Sequence, residues 1–153
     1  MVAAVRDFRP GDEAAFRDIN LAWIERFFAV EQKDRDVLDN PRKYILDPGG
    51  AILVAEDAGN TIGVVALMVI GDGSVELAKM CVLEAAQGKG AGKLLIAAAI
   101  EKARAMGMSR VYLETNSVLA PALKLYRDAG FVPLSAPQPS PYARADVQLE
   151  LFL

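Results

Sequence analysis

The chain of 153 residues contains no histidine and one cysteine, Cys81. The first absence removes the commonest neutral-pH general base and the usual zinc ligand, so no metal is expected; the second excludes an internal disulfide. Any general base must then be Glu, Asp, Tyr, Cys, an ordered water or a shifted Lys. No apolar run approaches the roughly 20 residues that a membrane-spanning helix needs, and residues 1–10 lack the apolar core of a signal peptide. A cytoplasmic location without a membrane partner is the expectation. With a net charge of −3 and an isoelectric point near 5.0, the chain has no broad basic surface, so no nucleic-acid partner is expected. The content of 53% hydrophobic and 24% charged residues is that of a globular protein. A chain of this length buries roughly 70% of its unfolded surface, enough for one domain over residues 1–153 with a full core.

What the sequence does contain is a glycine-rich turn, Gln87-Gly88-Lys89-Gly90-Ala91-Gly92, between a strand-like run ending near Leu83 and the apolar helical run 94–100. Alternate glycines remove the Cβ atoms that would hold a ligand off the backbone, and successive N–H groups can converge on an anion. The helix that starts here adds about +0.5 charge at its N-terminus, and Lys89 and Lys93 flank it, so the turn reads as a diphosphate cradle. Two better-known phosphate loops fail on spacing. A Walker loop has four residues between its first glycine and Gly-Lys, then Ser or Thr; here three residues separate Gly88 from Gly92-Lys93 and Leu94 follows. A dinucleotide loop reads G-x-G-x-x-G after an opening strand, whereas this one reads G-x-G-x-G in mid-chain, with Glu114 downstream as the single feature in its favour.

Gln-x-x-Gly-x-Gly after an apolar strand resembles the coenzyme A pyrophosphate loop of the GCN5-related N-acetyltransferase (GNAT) family. A second block, Leu125-Tyr126-Arg127-Asp128-Ala129-Gly130-Phe131, is similar to the family's helix-then-strand segment bearing a tyrosine beside the thioester sulfur. The resemblance covers the whole chain. It implies a mixed, mostly antiparallel central sheet flanked by helices, and acetyl-CoA as co-substrate held by residues 87–93 (Gln87, Gly88, Lys89, Gly90, Ala91, Gly92, Lys93). It also implies that the strand end at Met80, Cys81, Val82 and Leu83 offers backbone N–H groups to the developing oxyanion. Asn116 falls where the family often places a polar residue against the pantetheine arm or the adenosine end.

Taken in order, residues 3–9 read as a strand, and Asp12 as the N-cap of a helix whose apolar stripe is Phe16, Ile19, Trp23 and Phe27. Residues 31–40 are dense in charge and read as a mostly solvated helix or loop, interrupted at Pro41. Runs 51–56 and 61–70 flank Asp57-Ala58-Gly59-Asn60 as a hairpin, and 75–83 follows as a third strand. Residues 90–106 read as a helix stopped by Gly107, 109–115 as a strand, and a short helix beginning near Pro121 and ending before Gly130 carries Tyr126. Runs 131–134 and 145–153 pair as a terminal hairpin around the proline-rich segment 135–142.

Under the resemblance, acyl transfer to an amine is the expected chemistry, with a small-molecule primary amine as acceptor. An amine of reference pKa ~10.4 is only about 10⁻³ deprotonated at pH 7, so a base or water chain is needed. Glu76 and Glu31 are the candidates. Tyr126 is the candidate acid for the leaving thiolate, while Cys81, with no histidine to activate it, reads as a small core residue. Glu31, Arg35, Tyr142 and Arg144 are the residues in reach of an acceptor. A non-catalytic acyl-CoA-binding domain would keep the cradle without Tyr126 or a base, and a nucleotide-phosphate module is a more distant alternative. Oligomeric state stays open, a homodimer included.

Overall fold

The computed structural model describes residues 3–153. Its elements are β1 (Ala4–Asp7), α1 (Glu13–Phe27), α2 (Gln32–Asp39), β2 (Ala51–Asp57), β3 (Asn60–Gly71), β4 (Ser74–Val82), α3 (Ala91–Ala105), β5 (Arg110–Thr115), α4 (Ala120–Asp128), β6 (Val132–Pro133) and β7 (Val147–Phe152). A π-helical turn, Arg42–Leu46, follows Pro41, and a 3-10 turn, Glu84–Ala86, follows β4. The strands form one sheet in the order β1-β2-β3-β4-β5-β7-β6. Every pairing is antiparallel except β4 with β5. The mixed, mostly antiparallel sheet flanked by helices is therefore the observed architecture.

Both hairpin turns in the meander have left-handed φ at their two central residues, Ala58 (51°) and Gly59 (80°), then Asp72 (53°) and Gly73 (73°). That geometry matches the twist of the flanking strands and fixes their register. One face of the sheet packs Leu53, Val65, Leu67, Val75, Val111 and Leu113 against α3 and α4; the other packs Val54, Val64 and Ala66 against Phe16, Ile24, Val37 and Leu38 of α1 and α2.

Two local readings differ from the structure, and a third does so at one residue. The carboxylate of Asp12 makes no capping bond; it accepts the Arg6 guanidinium at 2.7 and 3.0 Å and the Arg9 N–H at 2.8 Å, partners a capping geometry cannot match. The buried face of α1 centres on Phe16, Ile19 and Ile24; Trp23 is half-buried, and Phe27, 46% exposed, stacks on it at the helix edge. The charged stretch 31–40 is mostly solvated as expected, with one exception its charge density does not suggest: Asp34 is buried beside Val37 and Leu38. Lys79 and Arg144, from distant parts of the chain, supply the charges that make burial of Asp34 tolerable.

Candidate active site

The glycine turn begins where β4 ends. Gln87 folds its amide back to donate to the Val82 carbonyl at 3.0 Å, which braces the turn against the strand. Gly88 (φ 77°) and Gly90 (φ 89°) are left-handed, a region costly for residues with a Cβ. A Cβ on either would meet no atom within 4 Å, so the space in front of them is open. Helix α3 starts with the Leu94 N–H donating to the Gly90 carbonyl at 3.1 Å. The N–H groups before it therefore project from the helix end, beside the exposed Lys89 and Lys93. At Gly92 a Cβ would lie 3.2 Å from Leu125 Cδ1, so the missing side chain lets α4 lean on the first turn of α3. These residues fit a diphosphate.

Strand β4 pairs with β5 at Ser74, Val75 and Glu76 alone; beyond Glu76 the two strands part, leaving the facing edge of β4 free of a partner in β5. Within that stretch β4 carries a bulge, since Ala78 faces Ala66 while Cys81 faces Val64, and Lys79 adopts φ 54°. The extra residue switches the alternation of side chains, so Cys81 points at α1, where its thiol donates to the Ile19 carbonyl at 3.4 Å. Burial pushes that thiol up to about 12, which makes it inert near neutrality. The Leu83 N–H donates to the Ile62 carbonyl at 2.8 Å and so serves the sheet. Val82 pairs with Gly63.

Tyr126 is buried in the same core cluster as Ala91 and Leu113 and meets the Phe131 ring edge-on at 6.0 Å. Burial raises its phenol to about 12, so it holds its proton at neutral pH.

On the α1/α2 face, Glu76 sits beside a pocket of about 400 Å³ lined by Asp72, Tyr112, Glu114, Gln138, Pro139 and Pro141. The last three belong to the proline-rich segment, which covers the β5–β7 half of this face in place of a helix. Glu114 is fixed by donors, the Tyr112 hydroxyl at 2.7 Å and the Ser140 hydroxyl at 2.8 Å, and Arg110 at the pocket rim is engaged by Glu150 at 2.7 Å. Among the described residues, Glu76 has neither hydrogen bond nor ion pair. Burial, reinforced by the charge of Glu114 and opposed by Lys79 and Lys33, raises its carboxyl to about 7.

Beside the pocket lies a charge cluster. Asp34, fully buried, accepts the Arg144 fork at 2.6 and 2.8 Å and the Lys79 ammonium at 2.8 Å. Burial alone would raise the Asp34 carboxyl; the Arg144 and Lys79 hydrogen bonds overcome this and hold it well below the usual carboxylate range. Glu31 forms a capping box with Asp34 and accepts Arg144 at 3.3 Å, so it belongs to this cluster. Arg35 is exposed. The Asn116 amide is engaged at both ends, donating to the Arg144 carbonyl at 2.6 Å and accepting the Val118 N–H at 2.9 Å. The sequence does not single out Asp34 and Lys79, yet each leaves a trace: Glu31-x-x-Asp34 ahead of Val37-Leu38 has capping-box spacing, and Lys79 is the one cation in an otherwise largely apolar strand that also carries Glu76. Among the described residues no group of His, Cys, Asp and Glu could hold a metal ion, and no helix is long and apolar enough to cross a membrane.

The profile of the acetyltransferase (GNAT) family matches residues 16–131, a span that contains Glu76, the glycine turn and Tyr126. The uncharacterized N-acetyltransferase YjgM of Escherichia coli K12 is 39% identical over 97 residues, 61% of this chain and 58% of that protein. The N-acetylaspartate synthetase of Rattus norvegicus is 36% identical over 116 residues, 75% of this chain but 37% of that protein. The matches thus cover less than two thirds of either relative. The crystal structure of a GNAT-family acetyltransferase from Staphylococcus aureus Mu50 shares the fold over 99% of both chains, with a TM-score of 0.87 at 18% identity. With a family match that takes in most of its length, from α1 to the start of the terminal hairpin, the chain belongs to the acetyltransferase (GNAT) family.

Proposed function

We propose that this chain transfers the acetyl group of acetyl-CoA directly to the primary amine of a small molecule. The observation that carries this reading is Glu76, an unpaired carboxyl near neutrality, beside a pocket next to the point where β4 and β5 part. Acetyl-CoA supplies the thioester. Backbone N–H groups of residues 88–92, with Lys89 and Lys93, hold its diphosphate, and the free edge of β4 beyond Glu76 is available to a carbonyl oxygen. Glu76 accepts the proton of the attacking amine as nitrogen bonds to the acetyl carbon. The carbon–sulfur bond then breaks, and Tyr126, protonated at neutral pH, gives its proton to the departing thiolate.

The pocket also narrows the acceptor. Glu76, Glu114 and Asp72 line it, and Arg110 is already engaged by Glu150. An acceptor rich in carboxylates, such as the name of the rat relative implies for that protein, would meet like charge here; a neutral or cationic amine would not.

The test is release of free thiol from acetyl-CoA across a panel of small amines, with Glu76→Gln as control. Because a base works deprotonated, kcat/KM should rise with pH through about 7 in the parent. The Gln variant should lose ~10² to 10⁴ in rate together with that limb of the profile. Tight coenzyme A binding with no thiol release for any amine would favour the acyl-CoA-sensing alternative.

A further inference from the structure

We propose that Arg144 is a positioning residue for the transfer: seated on Asp34, it holds the proline-rich segment down as a roof over the pocket and so keeps water from Glu76. This rests on the transferase reading for its consequence, but not for its geometry. Between β6 and β7 the chain crosses the α1/α2 face without regular structure, and Gln138, Pro139 and Pro141 roof the pocket. Its prolines carry no N–H, so few backbone groups tie it down: the Gln138 N–H and carbonyl bond the Gln148 side chain at 2.7 and 2.5 Å, and the Ala143 N–H reaches Glu31 at 3.3 Å. Over the pocket itself, Ser140 holds one side-chain point, on Glu114 at 2.8 Å. The other is the Asp34 cluster, where the Tyr142 ring lies against two cations, 4.5 Å from the Arg144 guanidinium and 4.7 Å from Lys79 Nζ, with its hydroxyl 3.1 Å from that ammonium. Lys79 is pinned at a left-handed φ of 54° on the bulge, so the anchor is part of the sheet, not a mobile surface contact. Asp34, with no exposed surface on its side chain, joins α2, β4 and the roof in one ion cluster.

The groups facing Glu76 are Lys79 on its own strand, Glu114 and Tyr112 on β5, Lys33 on α2 and Tyr142 on the roof. Arg144 is not among the charges that act on Glu76, so losing its cation should not lower that carboxyl, whereas lifting the roof admits water and does lower it. We would titrate the Glu76 carboxyl by NMR in glutamate-labelled protein, assigning its signal by the loss in Glu76→Gln. In Arg144→Ala the midpoint should fall by one unit or more from about 7, and Arg144→Lys should restore part of the shift. In turnover, Arg144→Ala should raise the acceptor KM severalfold and leave coenzyme A affinity unchanged. A folded Arg144→Ala variant with an unmoved or raised midpoint overturns the proposal; should that variant not fold, Arg144→Gln is read the same way. The titration needs no substrate, so a parent that releases no thiol would defeat the transferase reading while the roof is still decided by the midpoint.

Discussion

Glu76 and Tyr126 are shifted by the same force, burial, and it serves them unequally because an acid and a base need different things. A carboxyl raised to about 7 is poised to take a proton at working pH, while a phenol raised to about 12 is protonated but a weaker donor than an ordinary tyrosine. If Tyr126 protonates the leaving thiolate, Tyr126→Phe keeps the edge contact with Phe131 and removes the donor. Turnover should drop by ~10², the low end for general acid catalysis, because a thiolate is already a fair leaving group. The loss should fall on kcat with coenzyme A affinity nearly unchanged, and side-by-side kinetics and calorimetry would show it. Unchanged turnover would exclude Tyr126 as the essential acid. The sequence made both residues visible but could not rank Glu31 against Glu76, since their spacing in the chain is silent on partners. In space Glu31 faces Arg144, and Glu76 faces no cation at bonding distance.

Among the elements, β4 does the most to arrange the site. Its first three residues tie it to β5, its bulge redirects Lys79 and Cys81 to the other face, and its end delivers the glycine turn to α3. The turn itself can be tested at Gly90, whose φ of 89° is left-handed and whose missing Cβ faces open space. Gly90→Val should cost about 1–2 kcal/mol in backbone strain, too little to unfold a protein of ordinary stability. It should nonetheless abolish coenzyme A binding, because the new side chain projects into the open space a diphosphate would take against the turn. Calorimetry that found unchanged affinity in a folded Gly90→Val protein would reduce the turn to a helix start. In helix α2 sequence patterning overlooked one residue. Its charge density suggested a mostly solvated helix or loop, which holds except at Asp34, Val37 and Leu38, and the partners that bury Asp34 lie 45 and 110 residues away in the chain.

For the whole molecule, a site built from β4, α3, α4 and the proline-rich segment couples ligand binding to folding. Coenzyme A at 100 times its dissociation constant should stabilise the native state by ~2.7 kcal/mol through mass action. For a chain of this size that corresponds to a rise in Tm of roughly 5 to 10 °C, measurable by differential scanning fluorimetry. No shift at millimolar coenzyme A, in protein shown to be folded, would remove the cradle from the donor site. ATP gives the contrasting arm: stabilisation by ATP without coenzyme A would favour the nucleotide-phosphate alternative.

Features set by neighbours in the chain were legible in the sequence. Apolar runs marked the strands, the Asp57–Asn60 stretch marked the first hairpin, and glycine spacing marked the turn at residues 87–92, because each depends on local backbone geometry. Tyr126 could be placed for the same reason, on a short helix bounded by Pro121 and Gly130. Tertiary structure alone decided which charges are buried and which carboxyl is left without a partner. Desolvation and ion pairing depend on groups brought together from β4, α2 and the segment before β7, and one bulge at Lys79 determines which face those groups share. The sequence by itself thus determined the sheet and the glycine turn; the roof, the Asp34 cluster and the raised carboxyl of Glu76 arise only when the chain closes over itself.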